Sequence, residues 1–277
     1  MPYADVNGIR LYYEERGSGQ PVVQIHGSGF GRGNFATLTP LLSRSFRVID
    51  YDMRGFGDSD APVGPYSMEL WADDLAGLLD ALEIERAHVH GTSMGGMVAI
   101  PFAAKYPGRL DRLVLSCSLA AYDGAARMNK RVWHAVAKAY GKGDEFLDLV
   151  MFQLFSRPFL ESERMGEARE LIAKLISSQT SPEVFAEITK AIEAADLVPL
   201  LPTIDAPTLV IGGRYDIMTP IDMGPSGAGS RVLAESIPQA ELAVLDAGHT
   251  FLVEQPEASC ELITEFLGRA HAAGAAG

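Results

Sequence analysis

Cysteine is nearly absent. Cys117 and Cys260 are the two thiols in 277 residues, too few for a disulfide framework or a cysteine-based metal site. Both read as packed thiols, one in a strand-like run and one in a helix-like run. Basic residues are also short. Lys plus Arg total 23 against 36 Asp plus Glu, a formal charge of −13, and no Lys/Arg-rich run interrupts that balance. Such a field repels nucleic acid and anionic membrane, so neither is an expected partner. Nowhere do about 18 consecutive apolar residues occur, the length that suggests a membrane-spanning helix. The opening "MPYADVNGIRLYYEERGSG" lacks the basic-then-apolar layout of a targeting segment, and a soluble, cytoplasmic protein is the expectation. No metal, nucleotide or flavin signature stands out, so no cofactor is expected.

What is present is an ordinary globular composition, 47% hydrophobic and 21% charged, enough for an ample core. Short β-rich apolar runs alternate with helix-period runs, the rhythm of a mostly parallel sheet flanked by helices. "YADV" and "IRLYYEE" around Asn7-Gly8 predict a hairpin. Interior strands are expected at 21–26, 46–52, 87–92, 113–118, 208–213 and 242–247, eight strands in all with the hairpin pair. Helices are expected at 34–43, 67–83, 94–106, 231–237 and 256–268. The rhythm breaks at 119–205, where helical patterns at 124–140, 144–156, 161–177 and 182–195 follow one another. Residues 1–118 and 206–277 therefore read as an α/β core, and 119–205 as a helical cap inserted after the sixth strand. An insertion there lies over the crevice where parallel sheets bind ligands. "MGPSGAGSR", 223–231, reads as a flexible surface loop.

Chemistry concentrates at "VHGTSMGG", residues 89–96. Gly91-Thr92-Ser93-Met94-Gly95 fits G-x-S-x-G with a strand before it and a helix after it. A serine needs a positioned base to take its proton as it attacks. Of the six histidines, His88 and His90 lie inside a strand, His134 in the insertion and His271 in the tail. His249, in "LDAGHTFLVEQP" after the last strand, is the best-placed base, with His26 of "HGSG" the other candidate. Asp216 in "GRYDIMTP", at the end of the preceding strand, is the carboxylate expected to orient the imidazole. Asp123, after "LVLSCS", is too far along to serve. Two N–H donors are needed for the oxyanion: Met94, at the helix start, and Ser28, in the glycine-rich "HGSGFGRG" loop. That loop has neither the lysine nor the spacing of a phosphate-binding loop. Gly29, Phe30, Trp133, Phe155 and Thr250 are candidate pocket residues. Met128, Phe152 and Phe159 could add apolar lining, and Arg127, Arg131 or Arg157 could meet a substrate carboxylate.

Four segments together, "HGSG", "DMRGFGDSD", "GTSMGG" and "GRYDIMTP" with "AGHTFLVEQP", resemble the α/β-hydrolase superfamily over nearly the whole chain apart from the cap. The order Ser93, Asp216, His249 is also the order found there. The resemblance implies an α/β-hydrolase fold and acyl transfer through a Ser-His-Asp triad. It leaves Asp52, Arg54, Ser59, Glu254 and Pro256 as scaffolding. The stretch 51–96 is most similar to 3-oxoadipate enol-lactonases and their esterase neighbours, implying hydrolysis of a small ester or lactone. "HGSGFG" is closer to carbon-carbon bond hydrolases of ring-fission products, although Phe30 and Thr250 stand where those usually carry a proline and an aromatic. Dehalogenases and epoxide hydrolases of this fold carry aspartate at the elbow, against Ser93. A perhydrolase side activity and a slow-turnover small-molecule receptor are further alternatives. The expected partner is a small-molecule substrate, the chain acting as a monomer or homodimer.

Overall fold

The computed structural model describes residues 2–141, 143–177 and 181–270. Strands β1 (Tyr3–Val6) and β2 (Ile9–Arg16) form the expected hairpin. Asn7 and Gly8 both take positive φ, 47° and 78°, which a tight two-residue turn requires. There follow β3 (Pro21–Ile25), α1 (Thr39–Leu42), β4 (Arg47–Tyr51), α2 (Met68–Ala81), β5 (Ala87–Thr92), α3 (Met94–Lys105) and β6 (Leu110–Ser116). Helices α4 (Gly124–Tyr140), α5 (Asp144–Leu154), α6 (Arg157–Leu160), α7 (Met165–Ser177) and α8 (Pro182–Ala194) precede β7 (Thr208–Gly213). Then come α9 (Ser230–Ser236), β8 (Ala240–Leu245), α10 (Phe251–Glu254) and α11 (Pro256–Leu267).

The strands form one eight-stranded sheet in the order β1-β2-β4-β3-β5-β6-β7-β8, with β2 antiparallel to both β1 and β4 and every other pairing parallel. Consecutive strand residues point to opposite faces, and the sequence supplies apolar groups for both. Val23, Ile49, Val89 and Val210 pack with α2, α3 and α9. Val22, Val48, Val114 and Leu209 pack with Leu38, Leu42 and α11. A third cluster joins Phe146, Val150, Leu154 and Ile172 of the insertion to Val253 of α10.

The element boundaries differ from the sequence pattern in instructive places. The run 34–43 is not one helix: a 3₁₀ turn covers Gly31–Phe35, and α1 starts afresh with Pro40 in its first turn, because proline cannot donate to a helix continuing through it. The run 161–177 contracts to α7, and a separate turn, α6, is capped by Ser156. Strands β6 and β8 end two residues early, leaving Cys117, Ser118, Asp246 and Ala247 for loops at the carboxyl edge.

The 223–231 segment is not a loose loop either. Ala228 exchanges backbone hydrogen bonds with Ala120 and Ala121 at 2.7 and 3.1 Å. Gly224 N–H donates to Asp123 at 2.8 Å, and the other oxygen of Asp123 caps α4 through Ala126 N–H. Burial would raise the Asp123 carboxyl, but these backbone donors hold it below its ordinary value. The glycine-rich stretch thereby fastens the start of α4 to the core.

Candidate active site

Ser93 follows β5 with φ 54° and ψ −117°, a region that L-residues rarely adopt and that persists only when neighbours over-determine it. They do: Ser93 N–H donates to the Ser116 carbonyl at 2.9 Å, and Ser118 Oγ donates to the Ser93 carbonyl at 2.8 Å. A Cβ on Gly91 would run into the Gly95 carbonyl, and one on Gly95 into the Ile25 carbonyl. The glycines of G-x-S-x-G are thus spaces for backbone. Serine at a helix N-cap ordinarily spends its oxygen on the first-turn N–H groups. Ser93 makes no such bond, so its hydroxyl remains available, and the first-turn N–H groups lack intrahelical acceptors.

Asp216 follows β7, and His249 sits between β8 and α10. His249 Nδ1 donates to Asp216 Oδ2 at 2.8 Å. Thr219 Oγ1 donates to the same oxygen at 2.7 Å, while Met218 and Thr219 N–H donate to Oδ1 at 2.8 and 2.9 Å. Burial alone would raise the Asp216 carboxyl; the imidazole beside it and these donors outweigh burial and hold it below the usual carboxylate range. Cys117 Sγ donates to the His249 carbonyl at 2.8 Å. Ligand atoms of Cys117, Asp216 and His249 lie within 4.8 Å of one another. Burial, with Asp216 and Glu254 nearby, pushes the Cys117 thiol up, against the thiolate a metal would need, and the three groups are engaged in the hydrogen bonds just given.

The loop bearing His249 is seated on the insertion. Glu254 Oε1 accepts from Ser156 N–H at 2.9 Å and Gly248 N–H at 2.8 Å, and Oε2 from Ser156 Oγ at 2.6 Å. Thr250 N–H and Oγ1 both donate to the Leu154 carbonyl, at 3.0 and 2.9 Å.

His26 has another task. Its Nε2 accepts from Met53 N–H at 3.0 Å, which leaves Nδ1–H to donate to the Gly27 carbonyl at 2.8 Å; burial lowers its basicity. It braces the "HGSG" loop against the segment after β4. Asp52 accepts from Arg32 and Asp58 N–H, Arg54 makes a double hydrogen bond with Asp74, and Ser59 bridges Asp52 and Tyr12. His90 is pinned between Gln24 and Ser116 and lowered to about 3 by burial, so it stays neutral. The His134 side chain and residue 271 lie outside the described residues.

One narrow cavity, about 60 Å³, brings together Ser28, Phe30, Ser93, Met94, Trp133, His249 and Thr250. Gly29, with φ 96°, and Phe155 do not face it. Phe155 instead stacks on Phe159 at 4.9 Å inside the insertion's own core. Met128 and Phe152 are exposed on the outer surface. Arg131 and Arg157 are exposed as well, and Arg127 donates to the Tyr122 carbonyl at 2.7 Å. Tyr122, Asn129, Lys130 and Met218 line the cavity without having been singled out from the sequence. For α4 a signal existed: Ala126, Lys130 and Trp133 are spaced four and three apart and so share a face.

The Ser93 hydroxyl at a helix start and the His249 imidazole held by Asp216 thus line the same cavity. The chain belongs to the α/β hydrolase fold family, which it matches over residues 20–256, and it is a hydrolase enzyme of that family. The enol-lactonase from Burkholderia xenovorans superposes with a TM-score of 0.85 at 33% identity, covering 97% of this chain and 100% of that one. A thermophilic esterase from Thermogutta terrifontis gives 0.83 at 33%, over 96% and 97%. A 2-hydroxymuconate semialdehyde hydrolase from a Pseudomonas species is 32% identical over 278 residues, 96% of this chain and 93% of the relative. Among the described residues no helix is long and apolar enough to cross a membrane.

Proposed function

We propose that the chain hydrolyses a small carboxylic ester or lactone through an acyl-enzyme on Ser93. The observation that carries this reading is the shared cavity of Ser93 and His249, with His249 hydrogen-bonded to a low-pKa Asp216. Ser93 Oγ attacks the carbonyl carbon as His249 Nε2 takes its proton, and Asp216 stabilises the imidazolium. The oxyanion meets the N–H groups of Met94 and Ser28. His249 returns the proton to the leaving oxygen, which departs as an alcohol, or in a ring-opened lactone stays attached. Water, deprotonated by His249, attacks the acyl carbon and frees the acid and Ser93. The insertion acts as a lid over this cavity, whose small volume suits short acyl groups. The enol-lactonase and esterase likenesses support the same reaction class.

A panel of short p-nitrophenyl esters and simple lactones tests the reading. Wild type should turn several over, and Ser93→Ala should lose at least about 10³-fold in kcat. Near-normal activity in Ser93→Ala would sink the proposal. The full-length likeness to a 2-hydroxymuconate semialdehyde hydrolase favours a second reading, carbon-carbon cleavage of a dienoic ring-fission product. Loss of ultraviolet absorbance from such a dienoate, faster than ester cleavage, would select it.

A further inference from the structure

The cavity over Ser93 has a charge pattern that the proposed acyl chemistry does not use. Among the described residues that line it, none is a carboxylic acid, and Lys130 is the one lysine or arginine. Lys130 stands on the face of α4 that it shares with Ala126 and Trp133, and its ammonium lies 5.5 Å over the Phe185 ring of α8. The lysine is partly buried, and burial pushes its ammonium down to about 8, with Glu193 pulling the other way. At neutral pH it is still largely protonated, though poorly hydrated. The chain as a whole carries −13 and repels anions, so a lysine in a cavity wall whose described lining residues include no carboxylate is a local exception, Glu193 acting on it from outside that lining. A carboxylate arriving there trades little remaining hydration of the lysine for a charge-assisted hydrogen bond.

We infer that Lys130 binds an anionic substituent, a carboxylate, on the ester or lactone cleaved at Ser93. For turnover this rests on the proposed Ser93 chemistry; for binding it does not. It assigns to Lys130 the carboxylate contact for which Arg127, Arg131 and Arg157 were the candidates in the sequence.

The test compares matched substrates that differ by carboxylate against methyl. One pair carries the difference on the acyl side, mono-p-nitrophenyl glutarate against p-nitrophenyl pentanoate. The other carries it on the alcohol side, 4-acetoxybenzoate against p-tolyl acetate. In wild type the anionic member of at least one pair is favoured in kcat/KM relative to its behaviour in Lys130→Met. The anionic-to-neutral ratio for that pair falls about 10-fold or more in Lys130→Met, the scale of one hydrogen bond to a charged group. Lys130→Arg retains most of the ratio, and Lys130→Glu lowers it further. Ratios within twofold of wild type in Lys130→Met for both pairs overturn the inference, as does an equal loss for anionic and neutral members, which would mark a packing role. If wild type cleaves none of the four, the ester reading fails by itself, and calorimetric titration of glutarate into Ser93→Ala decides the lysine separately. Binding weakened about 10-fold by adding Lys130→Met supports the inference; equal binding, or none in either protein, overturns it.

Discussion

At the floor of the cavity Ser93 is held by backbone. Its φ, its two hydrogen bonds to β6 and the loop after it, and the carbonyls pressed against Gly91 and Gly95 leave one geometry. In the wall opposite, Lys130 and Trp133 are held by one face of α4, where any side chain of helix-forming type could stand. A floor fixed by main-chain approach tolerates few residue types, whereas a wall fixed by helix packing tolerates many and can be altered without disturbing the floor. The two regions meet at Glu254, whose carboxylate ties Ser156 of the insertion to Gly248 beside His249. The insertion is therefore two things, a variable wall in α4 and a fixed seat for the histidine loop at the junction of α5 and α6.

The largest expected effect lies on the floor. Asp216→Asn keeps the shape but replaces the carboxylate that accepts from His249 Nδ1, and kcat toward a short ester should fall about 10⁴-fold with little change in KM. A fall smaller than 10-fold would mean that Asp216 only packs. Next comes the joint. Glu254→Ala strips the acceptor from the buried N–H groups of Ser156 and Gly248 and should cost on the order of 3 kcal/mol in denaturant unfolding. Glu254→Gln keeps an oxygen for those donors and should restore most of the loss. If Glu254→Ala unfolds like wild type, wall and floor are independent and the joint is misplaced.

A third effect belongs to the polar network under the floor. Asp50 accepts from Gln24 Nε2 at 2.6 Å and Thr39 Oγ1 at 2.7 Å, and burial, opposed by these bonds, raises its carboxyl to about 6. Its folded pKa exceeds its unfolded one, so the folded state holds the extra proton. The stability Asp50 allows is complete below about pH 4 and is lost as pH rises through about 6. Asp50→Asn, which imitates the protonated acid, should raise the unfolding free energy by up to about 3 kcal/mol at pH 8, and that gain should be largely gone at pH 4. A gain that is the same at both pH values would refute the titration of Asp50 as its cause.

How far the sequence could be read follows the same division. That Ser93, Asp216 and His249 come together was legible because their positions are dictated by local backbone: glycines where chains touch, and strand ends where loops gather. The positions of the strands followed from the alternation of runs, but the expected helix at 34–43 broke at Pro40 while α3 ran through Pro101, so a proline in a helical pattern did not by itself decide where a helix ends. Phe155 was misplaced because an aromatic at helical spacing looks the same facing a ligand or facing Phe159. Lys130 went unnoticed for a related reason: lysine on an amphipathic helix ordinarily faces water, and its neighbours here, Phe185 and Glu193 of α8, lie 55 and 63 residues further along the chain. The same long-range dependence turned the loop at 223–231 from slack to clamp, since Asp123 lies a hundred positions earlier.

The smallest expected effect is in the wall itself, and it measures how variable that wall is. The Trp133 indole N–H donates to Gln153 Oε1, and its ring meets Phe146 edge-on at 5.7 Å while also facing the cavity. Trp133→Phe keeps a ring over the cavity and loses only the indole hydrogen bond, so kcat/KM for p-nitrophenyl acetate should change by less than about threefold, the worth of one neutral hydrogen bond. Trp133→Ala opens the cavity, and the preferred acyl chain should lengthen, each additional accommodated methylene contributing up to about 0.8 kcal/mol, roughly fourfold in kcat/KM. The acetate rate, which depends on the floor, should move least. An unchanged chain-length profile with a lowered melting temperature would make Trp133 a packing residue of α4 and α5. A collapse of the acetate rate as well would show that the wall helps to hold Ser93 and His249 in place, and the separation of wall from floor would fail at that residue.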